Sequence, residues 1–308
     1  MKILITGVTS FIGRALAREL IAEGIEVCGM VRPASVHKED LPDKLEIIEC
    51  DLEQCEQLES RGLSNIYACI HLGWDGIGQK GRMDPEIQKE NINNSLCLIT
   101  VLGRLGCKRF VFAGSQAEYG IVTKRITEET ECHPVSEYGK AKLKMLSLAS
   151  ECCAGNEMTY IHARIFSVYG PGDHETSLVS SCLKAFAEDR HIDLGPCRQM
   201  WNYLYVSDCA KALADLATCV FTVPEERTET DAVVNVGAKQ SAPLRQYVER
   251  IRNCIGSGSY AFTERPESPE GTPVLEPDTE KLCSITGFRE TVEFEEGIRK
   301  IEELYRMR

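Results

Sequence analysis

The chain has 308 residues, with 35 Lys and Arg against 47 Asp and Glu, a net charge of −12 and 43% apolar content. That is material for one large domain or two modest ones with a substantial core. No apolar run approaches the ~20 residues of a membrane helix, and an acidic chain without a basic tract is a poor general binder of nucleic acid. A phosphate-bearing ligand must therefore meet a local positive site set against the overall field.

The opening MKILITG runs straight into a strand pattern, without the basic stretch, apolar run and cleavage site of a signal peptide, so a cytoplasmic setting is expected. The 15 cysteines are scattered, form no C-x-x-C pair and are odd in number. They are expected to be reduced thiols. Cys28, Cys69, Cys97, Cys182 and Cys209 sit in apolar or helical contexts, as small buried hydrophobes do, and neither a zinc framework nor any other metal site is indicated.

Lys2–Thr6, Glu26–Val31, Leu45–Cys50, Tyr67–Leu72, Arg109–Ala113 and Thr159–Phe166 read as strands. Phe11–Ala22, Ile87–Leu105 and Val135–Ala154 carry the three-and-four spacing of helices. Such alternation predicts an α/β fold, a parallel sheet covered on both faces, with ligands beyond the carboxyl ends of its strands. After Gly170-Pro171 the alternation weakens. Leu178–Arg190 reads as helix, Tyr203–Val206 as extended, and Asp208–Cys219 as a helix capped by Asp208. Ala232–Val236 is a short strand suited to rejoin the sheet, Leu244–Ile255 is a helix ended by Gly256, and Gly256–Pro277, rich in Gly, Pro, Ser and Glu, reads as part of a lobe built from interrupted segments. The acidic run Glu225–Asp231 reads as a solvated loop. Residues 1–166, joined by parts of 200–240, are expected to form one domain, and 167–308 mainly a smaller, interleaved lobe.

Gly7-Val8-Thr9-Ser10-Phe11-Ile12-Gly13 joins the first strand to the first helix. A glycine turn at that junction lets the N–H groups of the helix start approach a pyrophosphate, and its place between strand and helix makes the spacing informative. Gly7 permits the turn, Gly13 permits close helix packing, and Ser10 brings a hydroxyl where a further glycine is common. A dinucleotide is the expected ligand, with Phe11 and Ile12 beside it. The second strand ends Val31-Arg32-Pro33-Ala34-Ser35. A carboxylate there would hold a ribose 2′-hydroxyl and repel a 2′-phosphate. Val31 offers none, whereas Arg32 presents a forked donor and Ser35 a second. NADP(H) is therefore preferred, with NAD(H) left open because Arg32 also reads as a solvated loop arginine. Asp51 and Leu52, at the end of the third strand, either meet the adenine or begin the next helix.

Tyr138 and Lys142 lie four apart at the start of a helix, on one face. A phenol titrates near ~10, and a fixed ammonium beside it favours phenolate, moving it toward acid–base work near neutrality. The strand from Arg109 presents Ser115 at its carboxyl end, where a hydroxyl can hydrogen-bond a substrate oxygen. These three are expected to converge at the sheet edge. His71 reads as a structural histidine, His162 has no partner at metal spacing, Arg164 reads as a strand anchor, and Trp74 and Trp201 read as core or pocket wall.

Taken together, Thr6-Gly7 to Gly13, Cys50-Asp51-Leu52, Ile70-His71-Leu72-Gly73, Asn91, Gly114-Ser115 to Tyr119-Gly120, Tyr138 to Lys142, Arg164 to Pro171 and Tyr203 to Asp208 resemble the extended short-chain dehydrogenases/reductases that act on nucleotide sugars. The resemblance spans nearly the whole chain. It implies a Rossmann-type doubly wound sheet with a smaller C-terminal nucleotide-sugar lobe. It also implies Tyr138 as acid/base, Lys142 on the nicotinamide ribose and Ser115 orienting the sugar oxygen. Leu72, Gly73, Trp74, Asn91 and Phe166 would line the coenzyme; Gln116, Ser167, Arg198, Trp201 and Arg265 would face the nucleoside-diphosphate sugar. A homodimer through Ile87–Leu105 and Val135–Ala154 is implied as well.

Departures narrow the reaction. Dehydratases of this family carry Asp-Glu after the Ser/Thr, where this chain has Gln116 and Ala117, with Glu118 one residue too late. The related decarboxylases use a Glu where Ala117 stands. Its 4-epimerases commonly have a carboxylate at the Val31 position and an Arg where Trp201 stands, a contact Arg198 could replace. The runs His71–Gly76 and Gly114–Gly120 look like those of 4-ketoreductases making CDP- or dTDP-deoxysugars, such as CDP-abequose and CDP-paratose synthases. The expected function is NADPH-dependent reduction of a nucleotide-linked 4-keto-6-deoxysugar. The alternatives are an NAD-dependent 4-epimerase and a non-catalytic dinucleotide sensor.

Overall fold

Lys2–Thr6 (β1) is covered on both sides, with Ile3 and Ile5 facing one core and Leu4 the other. In the computed structural model, which describes residues 1–35, 37–219, 232–264 and 274–307, β1 is followed on one side by Glu26–Val31 (β2) and Glu46–Glu49 (β3). On its other side come Ile66–His71 (β4), Arg109–Ser115 (β5), Thr159–Ile165 (β6) and finally the strand Val233–Val236. All six pairings are parallel. Burial on both faces is why these strands read as near-continuous apolar runs. The chain leaves β1 toward β2 and β3, then returns to β4 on the opposite side. That reversal opens a crevice above the carboxyl ends of β1 and β4.

Phe11–Ala22 (α1) covers one face, and Pro85–Arg104 (α2) with Glu137–Gly155 (α3) covers the other. Each begins on a capping side chain: Ser10 accepts the N–H of Gly13, Asp84 those of Glu86 and Ile87, and Ser136 that of Gly139. Leu178–Ala187 (α4), Leu244–Ile255 (α6) and Phe294–Arg306 (α8) build a third apolar cluster with Tyr169 and Tyr205. Val206–Thr218 (α5) packs on α1 beneath the main sheet, and Glu280–Thr286 (α7) packs on α5.

The sequence reading is corrected at several points. Asp208 is not a cap: α5 begins two residues earlier, and the buried Asp208 carboxylate accepts the Thr291 and Val292 N–H groups (3.1 and 3.0 Å) and the Thr291 hydroxyl (2.7 Å). It ties the C-terminal segment to α5. The helix expected to reach Arg190 ends at Ala187, and the Gly- and Pro-rich stretch after Gly256 contains the strand Ser259–Phe262, paired parallel with His191–Leu194. The strand Ser167–Tyr169, paired with Tyr203–Tyr205, was not anticipated. Glu225–Asp231 and Arg265 lie outside the described residues. All fifteen thiols are free. Among the described residues no acidic, His or Cys cluster could hold a metal ion, and no helix is long and apolar enough to cross a membrane.

Candidate active site

The crevice at the strand reversal has a volume of about 880 Å³, within the range of small-molecule and cofactor sites. Its floor is the turn after β1. Gly7 has φ +67°, and a Cβ on it would lie 2.8 Å from the Gly73 nitrogen; one on Gly13 would lie 2.3 Å from the Gly7 carbonyl oxygen. Only glycines let strand end, helix start and the β4 end close up here, leaving room for a ligand's phosphates against backbone. Ser10, Phe11 and Ile12 line this floor, and the Ser10 hydroxyl, which accepts the Gly13 N–H, keeps its own proton to donate. Leu72 and Gly73 line the opposite wall. The wall is fixed from behind: the Gly73 N–H donates to the Thr6 hydroxyl (3.1 Å), which bonds His71 (2.7 Å), which bonds Ser95 (2.9 Å). Burial and the Lys142 charge push the His71 imidazole down to about 3, so it is the neutral structural residue expected.

At the end beside β2 and β3, Asp51 lines the crevice and also caps the following turn through the Glu53 N–H, and Leu52 and Ser35 line it too. Arg32 lines this region, already paired with a carboxylate. Its guanidinium forms a 3.0 Å ion pair with Asp75, and both side chains are well exposed. Asn91 does not line the crevice. It stands one layer back, donating to the Asp75 carbonyl and accepting the Asp75 N–H, both at 2.9 Å.

Ser115, Tyr138 and Lys142 all line the other end, with the Ser115 side chain acting to lower the Tyr138 phenol. Lys142 is 3% exposed, donates to the Ala113 carbonyl at 2.7 Å and lies 3.8 Å from the Trp74 ring centroid. Burial lowers its ammonium to about 7, with Glu118 opposing. Trp74 is thus wall and core at once, its indole N–H donating to Gln88 at 2.7 Å. The phenol differs from expectation. Burial raises it, against the Ser115 side chain and the Arg82 guanidinium, which lies 4.4 Å from the ring centroid; the Lys142 ammonium is 5.7 Å away. Arg82 was missed because it sits in a single 3₁₀ turn, Gly81–Met83, too short to show any apolar periodicity.

Glu118 explains its own displacement by one residue. It is fully buried, accepting the Ser115 N–H at 2.7 Å, His162 at 2.9 Å and Arg164 at 2.8 Å. Burial alone would raise its carboxyl, but His162, Arg164 and the Ser115 amide together hold it at about 2. It faces away from the crevice, as a support for Ser115. Arg164 anchors this cluster, as read from the sequence.

Gln116 lines the crevice, its amide donating to the Ser167 hydroxyl at 3.3 Å, and its buried Oε1 lacks a partner. Phe166 lines the same wall. The structure does not bring Trp201 or Arg198 to the crevice lining: Trp201 packs between two apolar clusters, and Arg198 is an exposed residue paired with Glu264.

Known proteins resemble the chain along nearly its whole length. The chain is 24% identical to a dTDP-4-dehydro-6-deoxyglucose reductase of Escherichia coli, over 97% of this chain and 96% of the relative. It is 23% identical to a probable UDP-glucuronate 4-epimerase of Rhizobium meliloti, over 99% and 97%. Its fold matches that of a UDP-glucose 4-epimerase from Thermotoga maritima with a TM-score of 0.86 at 23% identity, covering 100% of this chain and 99% of that one. Residues 3–237 match the NAD dependent epimerase/dehydratase family. The chain belongs to that family, as an enzyme of the extended short-chain dehydrogenase/reductase group.

Proposed function

We propose that this enzyme reduces a nucleoside-diphosphate 4-keto-6-deoxysugar to the 4-hydroxy sugar, using NADPH. The glycine turn at Gly7 and Gly13, Ser10, Leu72 and Gly73 would hold the coenzyme's phosphates and ribose, with Arg32 and Ser35 toward the adenosine ribose. Bound there, the coenzyme supplies the hydride. Tyr138 donates its phenolic proton to the ketone oxygen, Ser115 hydrogen-bonds that oxygen, and Lys142 orients the nicotinamide ribose. Gln116 would face the sugar, with Ser167 bonded to its amide from outside the lining. In this reading the protein works as a homodimer in the cytoplasm.

The observation that carries the reading is the wall beside Tyr138. Gln116 stands there, and the Glu118 carboxylate that follows it in the chain is locked behind Ser115. Elimination of water would need a further acid and base at that wall. Hydride and proton delivery to a ketone needs only the phenol and the Ser115 hydroxyl.

One observation favours a second reading, an NAD-dependent 4-epimerase. The Arg32 charge is already matched by Asp75, which weakens its claim on a 2′-phosphate. A panel of CDP-, dTDP-, UDP- and GDP-4-keto-6-deoxysugars with NADPH or NADH separates the two. Consumption of NADPH in step with product supports the reductase. Protein purified with tightly held NAD, interconverting 4-hydroxy sugars without added reductant, overturns it.

A further inference from the structure

We propose that Arg82 is a positioning residue for the acid–base step: its guanidinium, held over the Tyr138 ring by the segment 75–84, strengthens the phenol as an acid. The inference rests on the role given to Tyr138 above and extends it to a residue outside the Ser115–Tyr138–Lys142 set.

The segment is built to hold one shape. Gly76 has φ +70°, and a Cβ on Gly81 would lie 2.4 Å from the Gly76 Cα, so two glycine backbones meet face to face. Gln88, 2% exposed on α2, donates to the carbonyls of Gly81 (2.9 Å) and Gly76 (3.3 Å) and accepts from the Trp74 indole (2.7 Å). Asn91, one turn further along α2, holds both backbone groups of Asp75. A clamped loop of this kind delivers Arg82 to the crevice wall, with Cζ 4.4 Å from the Tyr138 centroid.

The groups around the phenol act in opposite directions. Arg82 from the loop favours phenolate, the Ser115 side chain at the end of β5 supports it, and the Glu118 carboxylate behind Ser115 opposes it. Lys142, from the same helix, is further off, and its ammonium is committed to the Ala113 carbonyl and the Trp74 face. Burial brings the Lys142 ammonium to about 7, so above neutrality much of its charge is gone. A guanidinium keeps its charge throughout that range. Arg82 is therefore the cation that the phenol retains as pH rises.

The test uses the full chain, with Arg82→Met, Arg82→Lys and Tyr138→Phe. Tyrosinate absorbance is titrated, and the Tyr138 contribution is taken as the difference from the Tyr138→Phe protein, or from the corresponding double variant. Losing an opposite charge at this range is expected to move the Tyr138 ionisation up by about one pH unit, and Arg82→Lys should restore part of it. The pH dependence of kcat/KM for oxidation of the 4-hydroxy sugar should move the same way. Tyr138 ionising at the same pH in wild type and Arg82→Met would overturn the inference. A displaced titration without turnover on any sugar would uphold the electrostatic role and reject the reductase.

Discussion

Ser115 and Glu118 hold each other across a single 3₁₀ turn: the Glu118 carboxylate accepts the Ser115 N–H at 2.7 Å, and the Ser115 hydroxyl accepts the Ala117 N–H at 3.2 Å. This capping box fixes the hydroxyl that meets the Tyr138 phenol. It also couples the site to the buried Arg164 and His162.

Removing the carboxylate should be costly. Glu118→Ala leaves the Arg164 guanidinium buried without its counter-charge, which is expected to destabilise the fold by about 3–5 kcal/mol, read as a lower denaturation midpoint. The carboxyl is held at about 2 in the folded chain, below its ordinary value. Its stabilisation is therefore complete above the ordinary carboxylate range of about 4.3 and is lost as pH falls through about 2. Urea unfolding across that window should show wild-type stability falling with acid, with a flatter dependence in Glu118→Gln.

Lys142 gives the same direction of pH dependence in a higher window, but there the charged form is the one that burial penalises. Burial lowers its folded value to about 7, so between there and the ordinary ~10.4 the unfolded chain holds more protons and stability rises with pH. Lys142→Met should raise the thermal midpoint by a few degrees, most at about pH 6 and least at about pH 10. The same variant should lose turnover. An unchanged midpoint at every pH would mean the ammonium is better solvated than its surroundings indicate.

Tyr138→Phe keeps the ring and its packing while removing the acid. Turnover on the responsive sugar should fall about 10²–10⁴-fold. NADPH affinity, followed by fluorescence titration, should change less than about twofold, a shift of only ~0.4 kcal/mol.

Asp75→Asn releases Arg32 without disturbing the loop, because Asn91 grips the Asp75 backbone rather than its side chain. NADPH should then bind about fivefold tighter, a gain of roughly 1 kcal/mol, while NADH affinity stays level. Equal effects on both coenzymes would place Arg32 away from the 2′-phosphate.

Features governed by short-range periodicity were legible in the sequence. The apolar run Lys2–Thr6, the glycine turn ending at Gly13, the helix Phe11–Ala22 and the Tyr138–Lys142 spacing each depend on residues within a few positions. Local backbone geometry dictates them, so reading the chain was enough to place Ser115, Tyr138 and Lys142 in one crevice. The tertiary structure decided which charges meet. Arg32 finds Asp75 43 residues away, Glu118 finds Arg164 46 residues away, and Asp208 bonds Thr291 83 residues away rather than capping its own helix. Arg82 over Tyr138 is another such meeting. Pairings of this kind follow from strand order and from how helices pack on the sheet, so local spacing carries no trace of them.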